Sequence, residues 1–579
     1  MILKYLKPKQ WLLVALCGAF IVLQVYLDLR IPEFMNAMTD AILDGTMDDI
    51  YGNYGTKMLI CAFLSLGASL AAGFLAAYVS SQLCSELRIR QFEKVQTFSS
   101  DDVGEFSIAS LITRSTSDVN QIQIYVARGL QIIIKAPILA VWAILKIAGR
   151  NWEWTAATVV AVIIIMIVIV FIIRRSTVFF KRVQWLTDGI NRATGESIEG
   201  VRMIRAYNAE EYQFKKVERA NQDLIDNNLA TLKYTSAMFP FTSAMQNFLT
   251  LSIYWIGAGL ISNAPDHTEQ LLLFSDMIVF TSYALQVVAA FLMISGLMRM
   301  IPRATVASQR IQEVIDRQPS ITDGPECEGM EGHSGEIRME NVTFTYPGSK
   351  RPAVEDISLE MKRGGTLAII GPTGSGKTTL VRLMCRLYDV DSGSVSISGR
   401  DVRDYVQKDL HNQFGYVPQA PVIFSGSVRY NVNYGRHADE RTDEDIWDAL
   451  RTAQSEDFVT EMGGLDSKIS QHGRNISGGQ KQRIGIARAI CKDPDIYIFD
   501  DSFSALDFRT DRALRDALRR KTADSTVVIV AQRVGTIMDA DCIIVMDNGR
   551  IVGKGTHDEL MESCELYSSI ASAQFSEVR

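Results

Sequence analysis

Histidine is scarce in this chain, with six among 579 residues, and only His557 lies beyond residue 501. Downstream of that point, an imidazole-dependent step has a single candidate. Eight cysteines are scattered, Cys17, Cys61 and Cys84 in or beside apolar runs and five in the more polar half. None has CxxC or zinc spacing, which excludes those motifs and leaves reduced, mostly buried thiols. A net charge of −7 offers no case for nucleic acid as a partner. Charge is missing altogether from runs 11–27, 58–85, 154–173, 234–265 and 277–298. A helix needs about 20 such residues to cross a hydrocarbon core of about 30 Å. A further apolar run, 129–149, is interrupted by Lys135 and Lys146 and is the weakest of six predicted spans.

Orientation follows from basic residues at the span ends. Lys4, Lys7 and Lys9 precede the first span, Arg88, Arg90 and Lys94 follow the second, and Arg174, Arg175, Lys181 and Arg182 follow the fourth. The opposite loops are short or acidic, as in "DGTMDD" (44–49) and "NAPDHTEQ" (263–270), so both termini are expected on the cytoplasmic side. The first run lacks a small-residue cleavage site and reads as a retained helix. The chain is therefore expected to be multi-pass in a cell membrane, with lipid around it.

Between the second and third spans, and between the fourth and fifth, lie long charged segments with helical character. The spans are expected to continue as helices and fold back at "EFSIASLITRSTSDV" (105–119) and "IRAYNAEEYQF" (204–214). Residues 316–336 collect Gly, Pro, Ser and acids and read as a linker. Beyond them, short β-rich runs such as "GTLAIIG", "IYIFDD" and "TVVIVAQ" alternate with helical ones, the mark of an α/β domain on a largely parallel sheet.

"GPTGSGKTT" (371–379) fits G-x-x-x-x-G-K-[ST] between an apolar strand and a helical run. The loop of Gly371, Pro372, Thr373, Gly374, Ser375 and Gly376 would wrap its backbone N–H groups, which Pro372 alone lacks, around phosphates. Lys377 would reach the outer phosphates, the Thr378 hydroxyl would coordinate Mg²⁺, and Thr379 follows in the helix. The ligand is ATP or GTP. The predicted fold class is an all-α membrane domain of six long transmembrane helices followed by an α/β P-loop nucleotide-binding domain. Its bounds are 1–315 for the membrane domain with two cytoplasmic coupling loops, 316–336 for the linker and 337–579 for the nucleotide-binding domain.

"NISGGQKQRIGIARAI" (475–490), ahead of the acidic pair in "IYIFDDSFSALD" (496–507), gives the chain its resemblance. It resembles an ATP-binding cassette (ABC) transporter, and six spans followed by one cassette are similar to a type IV, exporter-fold half-transporter. The resemblance implies ATP and Mg²⁺ as ligands. It also implies roles: Tyr346 stacks on adenine, with a strand-end core tyrosine as the alternative; Gln419 is the Q-loop glutamine near Mg²⁺; Asp500 is the Mg²⁺-coordinating carboxylate. Ser477, Gly478, Gly479 and Gln480 would face ATP held by a partner cassette, and Asp507 belongs to the D-loop. Coupling helices are expected near Ser110 to Ser117 and Ala206 to Tyr212.

Two positions depart from the family pattern. Asp501 stands where the family has its catalytic Glu, and Gln532 where it has the switch His. A carboxylate one methylene shorter can fall out of reach of the water it must deprotonate, and an amide cannot carry the charge of an imidazolium. The loop "SKISQHG" (467–473) also departs, with Lys468 and Gln471 at acidic positions of the family's X-loop. These departures predict a degenerate site that binds ATP and hydrolyses it poorly, in one subunit of a heterodimer whose different partner supplies Glu and His. The resemblance implies a small or amphipathic transported substrate, otherwise unknown, and the lack of a peptidase-like segment ahead of the first span reads against a leader-peptide exporter. An exporter-fold importer of siderophore-like substrates and a non-transporting ATP-gated regulator are the alternatives.

Overall fold

Four of the five uncharged runs of the first half each lie on one long helix in the computed structural model, and 234–265 falls mostly on another, Met238–Asn263; the structure describes residues 2–43, 50–148, 151–298, 300–435 and 440–576. The acidic segment 44–49 lies outside these. Helices α1 (Pro8–Leu43), α2 (Thr56–Val95), α3 (Ser100–Phe106), α4 (Val119–Ile147), α5 (Trp152–Glu199), α6 (Glu210–Ser236), α7 (Met238–Asn263), α8 (His267–Met298) and α9 (Ile301–Asp316) follow in order. Among the described residues, six helical stretches are long and apolar enough to cross a membrane, including Ile108–Ile147, which carries the two lysines. Apolar side chains such as Leu59, Phe63, Phe74, Ile167 and Trp255 are exposed on these helices. That pattern suits lipid as the solvent, where only the backbone must be satisfied internally. The 48-residue α5 runs about 72 Å at 1.5 Å per residue, so this span does continue far beyond a bilayer's depth.

Among the spans, Val25, Leu29, Leu139, Trp154, Ile165, Phe280 and Tyr283 form one buried cluster. Polar groups are inserted beside it. Lys135 pairs with Asp28 at 3.7 Å, Asp28 accepts from Ser65, and Lys146 pairs with Glu33. Lys135 interrupts the run 129–149. It lies about 18 Å along α4 from Ile147, inside an apolar stretch where a charge needs the partner that α1 provides.

The chain divides into two compact units, residues 1–96 with 109–317, and 97–108 with 318–579. The second unit thus takes α3 out of the membrane half. The first fold-back lies at 96–107 and not at 105–119, because Ser99 and Asp102 form a capping box that starts α3 and Ser107, at φ 60°, ends it. Residues 108–118 are helical and run on into α4. Asp102 is fully buried and also accepts from the backbone N–H and hydroxyl of Ser320, at 3.0 and 3.1 Å. The segment read as a linker is likewise folded onto the second unit. Gly324 N–H donates to the Tyr405 carbonyl at 2.8 Å, Val406 N–H donates to the Glu326 carbonyl at 2.7 Å, and Arg386 donates to the Thr322 carbonyl at 2.9 Å.

The second unit carries two main sheets. Strands β1 (Ile337–Phe344), β2 (Val354–Met361), β4 (Ser392–Ile397) and β5 (Arg400–Asp401) form one in the order β2-β1-β4-β5. The other contains β3 (Thr366–Ile370), β6 (Phe414–Val417), β7 (Ile496–Asp500), β8 (Thr526–Val530), β9 (Cys542–Asp547) and β10 (Arg550–Gly555), ordered β10-β9-β3-β8-β7-β6. Its central strands are parallel, and β7 is buried at every position, as expected of strands covered on both faces.

Candidate nucleotide-binding site

Parallel pairing places the motif residues at one edge of the sheet. Ile369 of β3 lies beside Val530 of β8, Val530 beside Asp500 of β7, and Val417 of β6 beside Phe499. The next residues of all four strands therefore leave together: the loop 371–376, Gln532, Asp501 and Gln419. Ligands in open α/β sheets bind at such carboxyl ends.

The loop from β3 turns into helix α10 (Lys377–Met384). Gly371 is required by close approach, since a Cβ there would meet the Met546 carbonyl oxygen at 2.1 Å, and Gly376 by its φ of 100°. Lys377 is buried and donates to the Gly371 and Pro372 carbonyls at 2.8 and 2.7 Å, with Ser375 Oγ at 3.4 Å. Burial pushes its pKa down, against the pull of Asp501 and Asp500. Pro372, Thr373 and Gly374 are exposed on the loop, while Ser375 and Thr379 are buried.

Thr378 Oγ1 donates to Asp500 Oδ1 at 3.0 Å. Burial raises the Asp500 pKa, the neighbouring Asp501 adds to that, and the Thr378 hydrogen bond opposes it. Among the described residues no group of three or more His, Cys, Asp or Glu could hold a metal. One carboxylate and one hydroxyl are nonetheless a donor set that fits Mg²⁺, which keeps several waters and binds through one or two carboxylates plus substrate phosphates.

Asp501 has φ 50°, a left-handed conformation that aspartate tolerates better than most residues. Its N–H donates to the Val530 carbonyl at 2.9 Å, and its carbonyl accepts from Ser504 Oγ at 3.0 Å. The buried carboxylate accepts two amides on the same oxygen: Gln419 Nε2 at 3.1 Å and Gln532 Nε2 at 2.7 Å from Oδ2. Gln419, expected beside the ion, thus bonds the second acid of the pair.

Tyr346 sits at the rim. Its hydroxyl lies 3.1 Å from Thr379 Oγ1 and accepts from Arg382 at 3.3 Å, while its ring meets Phe344 and Tyr388 edge-on at 4.9 and 5.3 Å. Ser477 caps helix α11 (Gly478–Lys492) in a capping box with Gln480. Gln480 Oε1 accepts from the Ser477 N–H at 2.8 Å, and a Cβ on Gly479 would meet the Ala505 carbonyl oxygen at 3.3 Å. Ser477 and Gly478 stay exposed. Asp507 caps helix α12 (Phe508–Lys521), accepting from Thr510 N–H at 3.0 Å.

Arg382, which holds Tyr346, and Gln574, which grips the loop behind Gln532, escape sequence reasoning. Both act between residues far apart in the chain and belong to no motif.

Two family models match: the ABC transporter transmembrane region over residues 14–291, and the ABC transporter domain over residues 354–504. An uncharacterized ABC transporter ATP-binding protein of Mycobacterium tuberculosis is 37% identical over 523 residues, which cover 90% of this chain and 88% of the relative. The chain belongs to the ABC transporter family. Another uncharacterized member, from Bacillus subtilis, is 32% identical across 99% of this chain and 98% of its own. An ATP-dependent lipid A-core flippase of Vibrio parahaemolyticus is 26% identical over 94% of each chain. In fold, this ABC protein is similar to a bacterial Atm1-family ABC exporter solved with ATP bound, with a TM-score of 0.83, 23% identity and coverage of 99% and 98%. It is a multi-pass membrane protein with a six-helix membrane domain and an α/β P-loop cassette. Family membership implies ATP with Mg²⁺ as ligands and an ATPase coupled to translocation.

Proposed function

We propose that this chain is one subunit of a heterodimeric exporter in a bacterial cell membrane, both termini cytoplasmic, and that its own ATP site is degenerate. The observation that carries this reading is the double amide clamp on Asp501. In ATP hydrolysis the water oxygen bonds to the γ-phosphorus as the bond to the bridging β-oxygen breaks. ADP leaves with that electron pair, and the water's proton passes to a base. A base must stand within about 2.6–3.2 Å of its proton donor. Asp501 is one methylene, about 1.5 Å, shorter than glutamate. It is also tethered through Oδ2 to Gln419 and Gln532, and Gln532 brings no positive charge to the developing phosphate.

The binding apparatus is intact. The loop 371–376 offers the backbone N–H groups of every residue but Pro372, and Lys377 a cation; Thr378 and Asp500 would hold Mg²⁺, which neutralises phosphate charge when bound; Tyr346 would meet the adenine. The exposed Ser477 and Gly478 support the other half of the proposal, since a signature free on the surface can complete a partner's site. Closure on two ATP molecules and hydrolysis at the partner-supplied Glu and His would drive alternating access. An amphipathic cargo agrees with the name of the Vibrio relative and remains part of the proposal.

The test is asymmetry in the assembled complex, isolated through a tag on this chain. Ser477→Arg in this chain should abolish most of the complex's ATPase activity, and Asp501→Ala should leave most of it. Equal losses from both would sink the heterodimer reading.

A further inference from the structure

Gln532 reaches Asp501 from a loop that is itself held from behind. Gln574 lies near the end of the last helix, α13 (Glu565–Ser576). Its single carboxamide grips the loop twice: Nε2 donates to the Gln532 carbonyl at 2.8 Å, and Oε1 accepts from the Val534 N–H at 2.8 Å. Two bonds from one planar amide fix the peptide groups on either side of Arg533. They set the backbone from which the Gln532 side chain extends 2.7 Å to Asp501 Oδ2.

The neighbouring contacts separate this bracket from the rest of the packing. Arg515 of α12 donates to the Gly535 carbonyl at 2.9 Å and pairs with the buried Asp511 at 3.0 Å. That anchor keeps the far end of the loop in place without Gln574. Helix α13 is seated by Tyr567 and Ala571, both fully buried in a cluster with Val534, Ile537 and Val545. The amide of Gln574 is therefore not what docks its own helix. What it controls is the stretch 532–534.

We infer that Gln574 is a positioning residue that acts through Gln532. By bracketing the switch loop it keeps the Gln532 amide on Asp501 and so keeps that carboxylate tethered, unable to swing toward a water. The inference rests on the reading of this site as degenerate, and it assigns to the C-terminal helix a part in keeping the site slow.

The experiment uses the full chain in lipid nanodiscs as wild type, Gln574→Ala, Gln532→Ala and the double variant. Three quantities are read: single-turnover hydrolysis of MgATP, hydrogen exchange at the Val534 amide, and melting temperature. Gln574→Ala should deprotect the Val534 amide and raise the single-turnover rate on the order of tenfold, the scale of one hydrogen bond to a charged group. Gln532→Ala should give a similar rise, the double variant no more than either, and melting should not move. Gln574→Glu keeps the acceptor for Val534 but loses the donor to the Gln532 carbonyl, and should fall between. A Gln574→Ala rate equal to wild type overturns the inference. So does a rise of equal size in the Gln532→Ala background, or an effect seen only as lower melting temperature. Brisk wild-type turnover would defeat the degenerate-site reading, whereas a non-additive Gln574–Gln532 pair would still uphold the bracket.

Discussion

Asp501 combines a left-handed backbone, a buried carboxylate and two amide donors on one oxygen. Each feature suits a short acidic side chain held still. Restoring the family residues should undo this: Asp501→Glu with Gln532→His is expected to raise ATP turnover of the chain by about 10²-fold, the lower end of what a placed general base contributes. A steady-state phosphate-release assay reads it, and an unchanged rate would show that the slow step lies elsewhere. Asp500 makes a second prediction. Burial raises its pKa, so acidification protonates it above the ordinary aspartate value of about 3.9 and removes the anionic Mg²⁺ ligand. MgATP binding should weaken on acidification at a pH above that at which an ordinary aspartate protonates, while ATP binding in EDTA should change less; equal slopes for the two would count against this role. These residues were legible in the sequence because each sits at a fixed offset from a β-strand. The amide clamp was not, since it depends on side chains from positions 419, 501 and 532 meeting in space.

Helix α3 shows what an element boundary needs. The residues "SSDDVGEF" contain the capping pair Ser99 and Asp102, yet the adjoining polar stretch 105–119 offers itself as a fold-back just as readily. What fixes the true position is Ser320, more than two hundred residues away, whose N–H and hydroxyl both bond Asp102. Burial works to raise the Asp102 carboxyl, and the hydrogen bonds from Ser320 and Ser99 together outweigh it and leave its pKa below the usual range. The stabilisation is therefore present at neutral pH, above the unfolded value, and is lost as pH falls through the lowered folded value. Asp102→Ala should cost about 1–3 kcal/mol, the penalty for leaving buried donors unpaired. Denaturant unfolding of the wild type and variant checks it, and an unchanged midpoint would mean that α3 is held by other contacts. The segment 316–336 teaches the same lesson: Gly, Pro and Ser mark it as irregular, and the backbone bonds that fasten it to Asp404, Tyr405 and Val406 follow no pattern visible in its own composition.

At the scale of the whole molecule, the order of six spans and one cassette was readable from hydropathy and from strand–helix alternation, because bilayer thickness and sheet burial each impose a length on the sequence. The pairing of Lys135 with Asp28 was not, because hydropathy registers a charge in a span but not the helix that neutralises it. The exposed signature cap and the tethered Asp501 join in one account, a chain that retains ATP and lends its serine and glycines to another subunit. Steady-state ATP turnover of the purified chain alone, in lipid and with bound nucleotide counted, tests that account most directly. The account predicts turnover near background with ATP retained; brisk turnover, sensitive to Lys377→Ala and so intrinsic to this site, would contradict it.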